Sequence, residues 1–261
     1  MKQELTKKIV RVGNSAGVIL PREWLNGKAR IELISKPLNI KKDVIEILEN
    51  YLEYIIGIYI VGSYARGEET EQSDIDILVI TNDISKKITE GKYNIILVQK
   101  SKLEEYLKRN IMPFLPMLIE AKPILNGELL DKLKKVQLTK DNLRGHLEIV
   151  KSGLAVNKEF IKLDKELDED ASDANSYSLV LHLRSVYIVD CLIKNKLWST
   201  NGLLSLIKKI TGSVRVYGGY LRVKNDKKER EELPLEEAEK LYNYILMRIR
   251  EQERWLKAKR E

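Results

Sequence analysis

Two apolar runs joined by a glycine-containing turn constrain the fold of this chain more than any other feature. Residues 57–61, GIYIV, and residues 74–80, DIDILVI, both have the composition of buried β-strands. Between them, GSYARGEE begins with a Gly-Ser pair and continues with residues that are compatible with a helix. The segment therefore predicts a strand, a turn that opens a helix, and a second strand.

Similar elements surround this segment. Apolar residues recur at helical spacing between residues 44 and 55, and YNIILVQ (93–99) predicts a third strand. SKLEEYLKRN (101–110) predicts a helix, and AKPILNGELLDKL (121–133) predicts a short strand followed by a helix. Together these elements predict a small α/β domain with a mixed sheet over residues 37–137.

The two flanking segments have different patterns. Residues 1–36 are short and β-rich, with β-branched residues around a Gly-Asn-Ser-Ala-Gly break and an alternating run, ARIELI (29–34). Residues 138–261 are mainly helical, although residues 211–232 are Gly-rich and basic and predict a loop or short hairpin. The fold class is therefore α/β (α+β): a small mixed-sheet domain with an N-terminal β-hairpin module and a C-terminal all-α helical bundle. Residues 176–197 predict its buried central helix.

Composition excludes several classes of site. The single cysteine, Cys191, excludes an intramolecular disulfide and a cysteine-based zinc cluster, and two histidines exclude a multi-histidine metal site. A net charge of +7 favours an anionic partner only weakly, because charges of both signs are abundant. No apolar run approaches the roughly 20 residues needed to span a bilayer. We expect a cytoplasmic protein without a membrane partner.

The Gly-Ser pair is the first candidate binding feature. A strand that ends at Val61 and is followed by Gly62, Ser63 and a helix presents backbone N–H groups that can receive a phosphate. Gly62 allows close approach to the backbone, the Ser63 hydroxyl can add a hydrogen bond, and Arg66 can pair with a nucleotide phosphate. The alternative is a capped turn with a surface arginine.

The two aspartates are the second candidate feature. Asp74 and Asp76 are two residues apart on an apparent strand, so their side chains leave the same face. Carboxylates in this arrangement repel each other unless a cation lies between them, and Mg²⁺ commonly binds one or two carboxylates together with substrate phosphates. The alternative is a strand that begins near Asp74 and has Asp76 on its solvent face.

The spacing of these features resembles a known signature. Gly62-Ser63, ten intervening residues and Asp74-Ile75-Asp76 are similar to the motif of the DNA polymerase β-like nucleotidyltransferase superfamily, above all to its minimal and kanamycin-nucleotidyltransferase-like members. The resemblance implies that Gly62 and Ser63 hold a nucleoside triphosphate (ATP or another NTP) and that Asp74 and Asp76 hold Mg²⁺. It also implies that an acceptor hydroxyl attacks the α-phosphate and releases pyrophosphate.

The sequence departs from this superfamily at one position. Members usually carry a third carboxylate on the next strand, and the corresponding position in YNIILVQ is Asn94. Asparagine can bind a metal through its carbonyl but adds no negative charge. Glu90 or Glu120 could substitute, although their spacing supports neither clearly.

The N-terminal segment resembles the AbrB-type swapped-hairpin family. The likeness lies in a basic strand, Val12-Gly13-Asn14-Ser15, the run VILPREW and the alternating strand that follows. It implies a homodimer built from two interleaved chains and DNA binding through basic residues, for which Lys8, Arg11 and Arg22 are the candidates. Residues 1–35 carry seven Lys or Arg against three Glu, which suits phosphate contact. A module that dimerises without binding DNA is the alternative.

The C-terminal helices resemble the HEPN-like bundles that accompany such nucleotidyltransferase domains. Ribonuclease members need an Arg followed by a His at a short fixed spacing, but His146 is too close to Arg144 and no His follows Arg184. A ribonuclease function is therefore disfavoured. His182 and Arg184 are predicted to be core or interface residues, and Tyr187 and Trp198 are predicted to be packing residues.

Two functional hypotheses follow. The first is a dimeric, Mg²⁺-dependent nucleotidyltransferase that transfers a nucleoside monophosphate from an NTP to an unknown acceptor, with a DNA tether in its N-terminal module. The second is a DNA-binding regulator whose nucleotidyltransferase domain binds nucleotide without turnover. Asn94 is the feature that favours the second.

Overall fold

The computed structural model describes residues 4–33, 38–227 and 233–258. The chain divides into two compact units, Met1–Asp43 and Val44–Glu261. The predicted fold class is confirmed, with an N-terminal hairpin, a mixed sheet and a C-terminal helical region.

The N-terminal unit contains a small antiparallel hairpin. Strands β1 (Val10–Val12) and β2 (Ser15–Gly17) pair, with Val12 opposite Ser15, and Gly13 provides the positive φ of 58° in the turn. The predicted strand over ARIELI is wrong for residues 29–33, which form no strand, and Ile34 lies outside the described residues. An alternating pattern makes a strand only where a neighbour supplies the ladder of hydrogen bonds.

The second unit is built on a mixed sheet. Within the described residues its strands are β3 (Ile55–Val61), β4 (Ile75–Thr81), β5 (Lys86–Glu90), β6 (Tyr93–Gln99) and β7 (Lys122–Leu125). Their spatial order is β5-β6-β4-β3-β7, with β4 and β6 parallel and the other neighbours antiparallel. The three strands predicted from long apolar runs are β3, β4 and β6, and they occupy the centre of the sheet.

Helices surround the sheet and then form a bundle. The shorter ones are α1 (Ile40–Ile47), α2 (Gly62–Arg66), α3 (Lys100–Arg109), α4 (Phe114–Glu120) and α5 (Gly127–Leu133). The bundle contains α6 (Lys140–Leu167), α7 (Asp173–Ile193), α8 (Thr200–Thr211), α9 (Arg215–Lys224) and α10 (Leu235–Ala258). One hydrophobic core extends from sheet residues such as Tyr59 and Leu78 to bundle residues such as Leu183 and Ile245. The division at residue 137 stays a prediction.

Helix α7 is the central helix of the bundle, as its apolar sequence predicts. Contrary to the expectation that no apolar run approaches the length of a membrane span, it is the one helix in the described ranges that is long and apolar enough, by length and composition, to cross a membrane. Half of its apolar stretch is buried inside the protein. Asp190, near its C-terminal end, forms an ion pair of 2.7 Å with Arg248 of α10. The central helix of a folded domain can have the same length and apolar composition, and the contacts of α7 are those of such a core helix.

Helix α9 corrects the prediction of a loop or hairpin over residues 211–232 for the stretch Arg215–Lys224, and residues 228–232 lie outside the described residues. Two adjacent glycines weaken the helical pattern, but Gly219 lies so close to α7 that an added Cβ would be 2.8 Å from Asp173 Oδ1. Arg222 of α9 donates to both oxygens of Asp173 at 2.8 Å. Tertiary packing and this bidentate ion pair therefore stabilise a helix that local propensity does not favour.

A buried histidine joins α6 to α7. His146 is 4% exposed, and its Nε2 lies 2.7 Å from the hydroxyl of Ser185. Burial, with a smaller contribution from His182, lowers the pKa of His146 to about 4. The protonated imidazolium is therefore disfavoured in the folded protein.

We expect the free energy of unfolding to fall as the pH is lowered from about 6.5 to about 4. In this pH interval His146 binds a proton in the unfolded chain but not in the folded protein. The free energy of unfolding therefore falls by about 3 kcal/mol at most. His146→Gln keeps a polar partner for Ser185 but does not titrate. Urea unfolding over a pH series should show the stability difference between wild type and variant changing between these pH values and staying constant above neutrality. Parallel pH curves would contradict the assignment.

Candidate active site

The register of the central strands brings two predicted site residues, Asp76 and Asn94, into one row beside the end of β3. Val61 of β3 lies opposite Asp76 of β4, and Asp76 lies opposite Asn94 of the parallel strand β6. Asp74 precedes β4, which begins at Ile75 and not at residue 74 as predicted. Asp74 is nevertheless close enough to Asp76 for its charge to raise the pKa of Asp76.

Gly62 stands directly against the second carboxylate. Its φ is +71°, and an added Cβ would lie 2.5 Å from Asp76 Oδ2. Helix α2 is a single turn that ends at Gly67, which also has a φ of +71°, and the carbonyl of Ser63 accepts the N–H groups of Gly67 and Glu68. The turn and the acidic strand are therefore in contact, and only glycine fits at position 62.

The two aspartates experience different environments. Asp74 is 46% exposed in its side chain and lies 3.8 Å from the ammonium of Lys224 in α9. Burial raises the pKa of Asp76, and the neighbouring charges of Asp74 and Glu120 raise it further, whereas Lys224 and Arg184 oppose the shift. The ionised form of Asp76 is thus unfavourable in the folded protein until a cation compensates it.

Arg66 is already engaged by two acids. Its Nη1 donates to Glu120 at 2.6 Å and its Nε donates to Glu68 at 2.8 Å, and its side chain is 11% exposed. Glu120 also accepts the backbone N–H of Gly62 at 2.7 Å. The simple alternative of a surface arginine is therefore wrong, and Arg66 is a buried, ion-paired residue of the site.

The third acidic ligand has no clear replacement. The Asn94 amide oxygen accepts a hydrogen bond of 3.4 Å from the Thr89 hydroxyl, and Glu90 lies on the exposed strand β5. Glu120 is near Asp76 but is committed to Gly62 and Arg66. Across the described ranges, no three His, Cys, Asp or Glu side chains are grouped so that they could hold a metal. Asp74 and Asp76 nevertheless suit one Mg²⁺, which binds few carboxylates and completes its shell with water or phosphate oxygens.

The helical region contributes residues that sequence analysis missed or interpreted differently. Trp198, predicted to be a packing residue, is buried but also donates its indole N–H to Glu120 at 3.0 Å. Thr200 donates its backbone N–H and its hydroxyl to Glu68, each at 3.0 Å. These residues, with Lys224 and Arg184, lie more than 100 positions from the motif, and a single sequence carries no signal that pairs them with it.

The DNA-binding candidates lie in the N-terminal unit. Lys8, Arg11 and Arg22 are exposed, and Arg11 in β1 donates its Nε to the carbonyl of Gly13 at 2.9 Å. Their role in DNA binding stays a prediction.

Comparison with known proteins gives a family for the chain. A family model described as "Nucleotidyltransferase domain" matches residues 41–171. A curated relative from Methanocaldococcus jannaschii, named "Putative protein adenylyltransferase", is 37% identical over 54 residues, which are 21% of this chain and 52% of the relative. The chain thus spans about half the length of this relative.

Two solved structures are also similar. The spectinomycin adenyltransferase of Enterococcus faecialis, crystallised with ATP and spectinomycin, is 16% identical, with 80% of this chain and 97% of that chain covered and a TM-score of 0.43. A nucleotidyltransferase-like protein from Exiguobacterium sibiricum is 16% identical, with 82% and 76% covered and a TM-score of 0.36.

We expect Asp76→Asn to raise the melting temperature at neutral pH in buffer without divalent cations. Burial and Asp74 raise the pKa of Asp76, so its ionised form destabilises the folded state at every pH above the unfolded pKa. Removing that charge should raise the melting temperature by about 2–4 °C, which corresponds to about 1 kcal/mol. Calorimetry of the wild type and variant measures the change.

Asp74→Asn is the matched control. Its carboxylate is half-exposed and lies near Lys224, so its replacement should gain less stability than that of Asp76. An Asp76→Asn protein that melts below the wild type would contradict the proposed destabilisation.

Proposed function

The chain belongs to the nucleotidyltransferase domain family, and from this premise we propose that it transfers a nucleoside monophosphate from an NTP to an acceptor at the site around Asp74 and Asp76. One observation carries the proposal. The turn that would receive the triphosphate, at Gly62, is packed on the carboxylate of Asp76. Phosphate and metal would therefore be held side by side, as metal-assisted nucleotidyl transfer requires.

Each residue of the site has a role in this proposal. Gly62 and Ser63 receive the triphosphate, Arg66 adds a cation beside it, and Asp74 and Asp76 hold Mg²⁺. An acceptor hydroxyl loses its proton to water and its oxygen attacks the α-phosphorus. The bond between the α-phosphorus and the α,β-bridging oxygen breaks, and pyrophosphate leaves. When bound, Mg²⁺ would stabilise negative charge on the attacking and leaving oxygens.

The alternative to this reaction is nucleotide binding without turnover, which Asn94 favours. The Asn94 amide beside Asp76 supplies a neutral oxygen. A carboxylate at this position would bind a metal more strongly and could take the proton from the attacking hydroxyl. The second candidate function is therefore a regulator that binds nucleotide through the same turn. Both candidates share the nucleotide site and differ in chemistry alone.

We expect Mg²⁺-dependent transfer of label from one of ATP, CTP, GTP or UTP, and a loss of about 100-fold or more in the Asp74→Asn/Asp76→Asn double variant. The expectation follows from removal of both proposed metal ligands. Labelled product and released pyrophosphate are measured across a broad acceptor panel. Transfer that persists in the double variant would contradict the proposed site.

Asn94→Asp separates the two candidate functions. If the site is active, an added carboxylate beside Asp76 should lower the Mg²⁺ concentration that gives half-maximal rate, while Asn94→Ala should raise it or leave it unchanged. Mg²⁺-dependent nucleotide binding without transfer in the wild type, with transfer gained in Asn94→Asp, would favour the regulator.

We propose in addition that the N-terminal module dimerises the protein and tethers it to DNA. None of residues 4–33 is buried, and most of their large apolar side chains are exposed. The exposed set is Leu5, Ile9, Val10, Val12, Ile19, Leu20, Leu25, Ile31 and Leu33. A 30-residue segment with no buried residue does not stabilise itself, and a second copy of the segment would cover this apolar surface.

Deletion of residues 1–36 should convert a dimer into a monomer and weaken DNA binding. The mass in solution, measured by light scattering, and the salt dependence of DNA binding report the two effects. A full-length variant with Lys8, Arg11 and Arg22 changed to Gln is the matched control, because it should lose DNA binding and remain dimeric. A truncated protein that stays dimeric would remove the dimerisation proposal.

A further inference from the structure

Glu120, at the end of α4, joins three separate parts of the second unit. Its carboxylate is 6% exposed and accepts hydrogen bonds from the Gly62 N–H at 2.7 Å, Arg66 Nη1 at 2.6 Å and Trp198 Nε1 at 3.0 Å. Gly62 and Arg66 belong to α2, directly after β3, and Trp198 lies in the segment before α8. A single buried acid thus fixes the candidate nucleotide turn to the helical region.

Glu68 repeats this arrangement on the other edge of the same guanidinium. It accepts from Arg66 Nε at 2.8 Å and from the N–H and hydroxyl of Thr200. Although burial raises the pKa of Glu68, the contacts with Arg66 and Thr200 lower it below its usual range. Arg66, Glu68, Glu120, Trp198 and Thr200 are called the carboxylate bridge below.

If the carboxylate bridge only connected these elements, its buried acids would be an energetically unfavourable way to do so. It places Glu120 close enough to Asp76 to disfavour the ionised form of that residue. Apolar packing would join the same elements without burying an acid near Asp76. The bridge fixes the direction of an arginine, however, which apolar packing does not do.

The held guanidinium keeps donors for a ligand. A guanidinium has five N–H groups, and in the part of the chain that the structure describes, Arg66 uses Nε and one N–H of Nη1. Its remaining N–H groups make no hydrogen bond to the described residues and are available to an anion.

We propose that Glu120 is a positioning residue for nucleotide binding: held by Trp198, it orients Arg66 and the Gly62 turn toward the phosphates of the NTP. The inference rests on the proposed function, since Arg66 is a nucleotide ligand there. It adds that affinity for nucleotide depends on Trp198, a residue of the helical region that acts only through Glu120.

Two variants and one control test this inference in the full-length protein. Trp198→Phe keeps an aromatic ring and loses the indole N–H that donates to Glu120. Glu120→Gln replaces one acceptor oxygen with an NH₂ group, which cannot accept the hydrogen bonds that the carboxylate accepts. Asp190→Asn breaks a partly buried ion pair with Arg248, elsewhere in the bundle, and controls for general destabilisation. Binding of ATP with Mg²⁺ is measured by calorimetric titration.

We expect both bridge variants to weaken ATP binding by about tenfold and the Asp190→Asn variant to leave it unchanged. Exchange of the Arg66 Nη1 hydrogens, which face Glu120, is followed by NMR without nucleotide and should become faster in Trp198→Phe and not in Asp190→Asn. Unchanged affinity and unchanged exchange in the bridge variants would overturn the inference, as would equal losses in all three variants.

The exchange measurement keeps the inference separate from the proposed function. A wild-type protein that binds no nucleotide would remove the proposed function. Faster Arg66 exchange in Trp198→Phe would then still establish that Trp198 orients Arg66 through Glu120, and unchanged exchange would remove that as well.

Discussion

The antiparallel pairing of β3 with β4 is the constraint on which the rest of the site depends. Because Val61 lies opposite Asp76, the residue that follows β3 must pass directly over a carboxylate. The space there excludes a side chain, and the backbone takes a positive φ, so Gly62 meets both requirements. The parallel neighbour β6 then adds Asn94 to the same row. Register alone therefore assembles the turn, the acid and the amide.

Such an assembly concentrates negative charge, and the helical region supplies the compensation. Lys224 approaches Asp74, and Arg184 acts on Asp76 through its field. Trp198 and Thr200 bind the acids that hold Arg66. The helices after residue 138 are thus part of the electrostatic environment of the sheet. Without them, the acids around the turn would be poorly compensated in a partly buried place.

The parts that the sequence predicts are those that local patterns determine. Long apolar runs identify β3, β4 and β6, and the spacing of Gly62 and Asp76 identifies the turn and the acid because both lie within one short segment. Contacts between residues that are far apart in the sequence cannot be predicted from local patterns. Helix α9 depends on Gly219 approaching Asp173, and Trp198 depends on Glu120 as its partner, so neither role can be read from its neighbours in sequence.

The edges of the sheet have a consequence for assembly. In the described part of the chain, β5 and β7 are the outer strands, and β5 carries Lys86 and Lys87 while β7 carries Lys122 and Pro123. Lysines on an edge resist an incoming strand, and a proline offers no N–H to a new ladder. The sheet is therefore protected against growing by addition of a strand from another molecule, and any association between copies has to use a different surface.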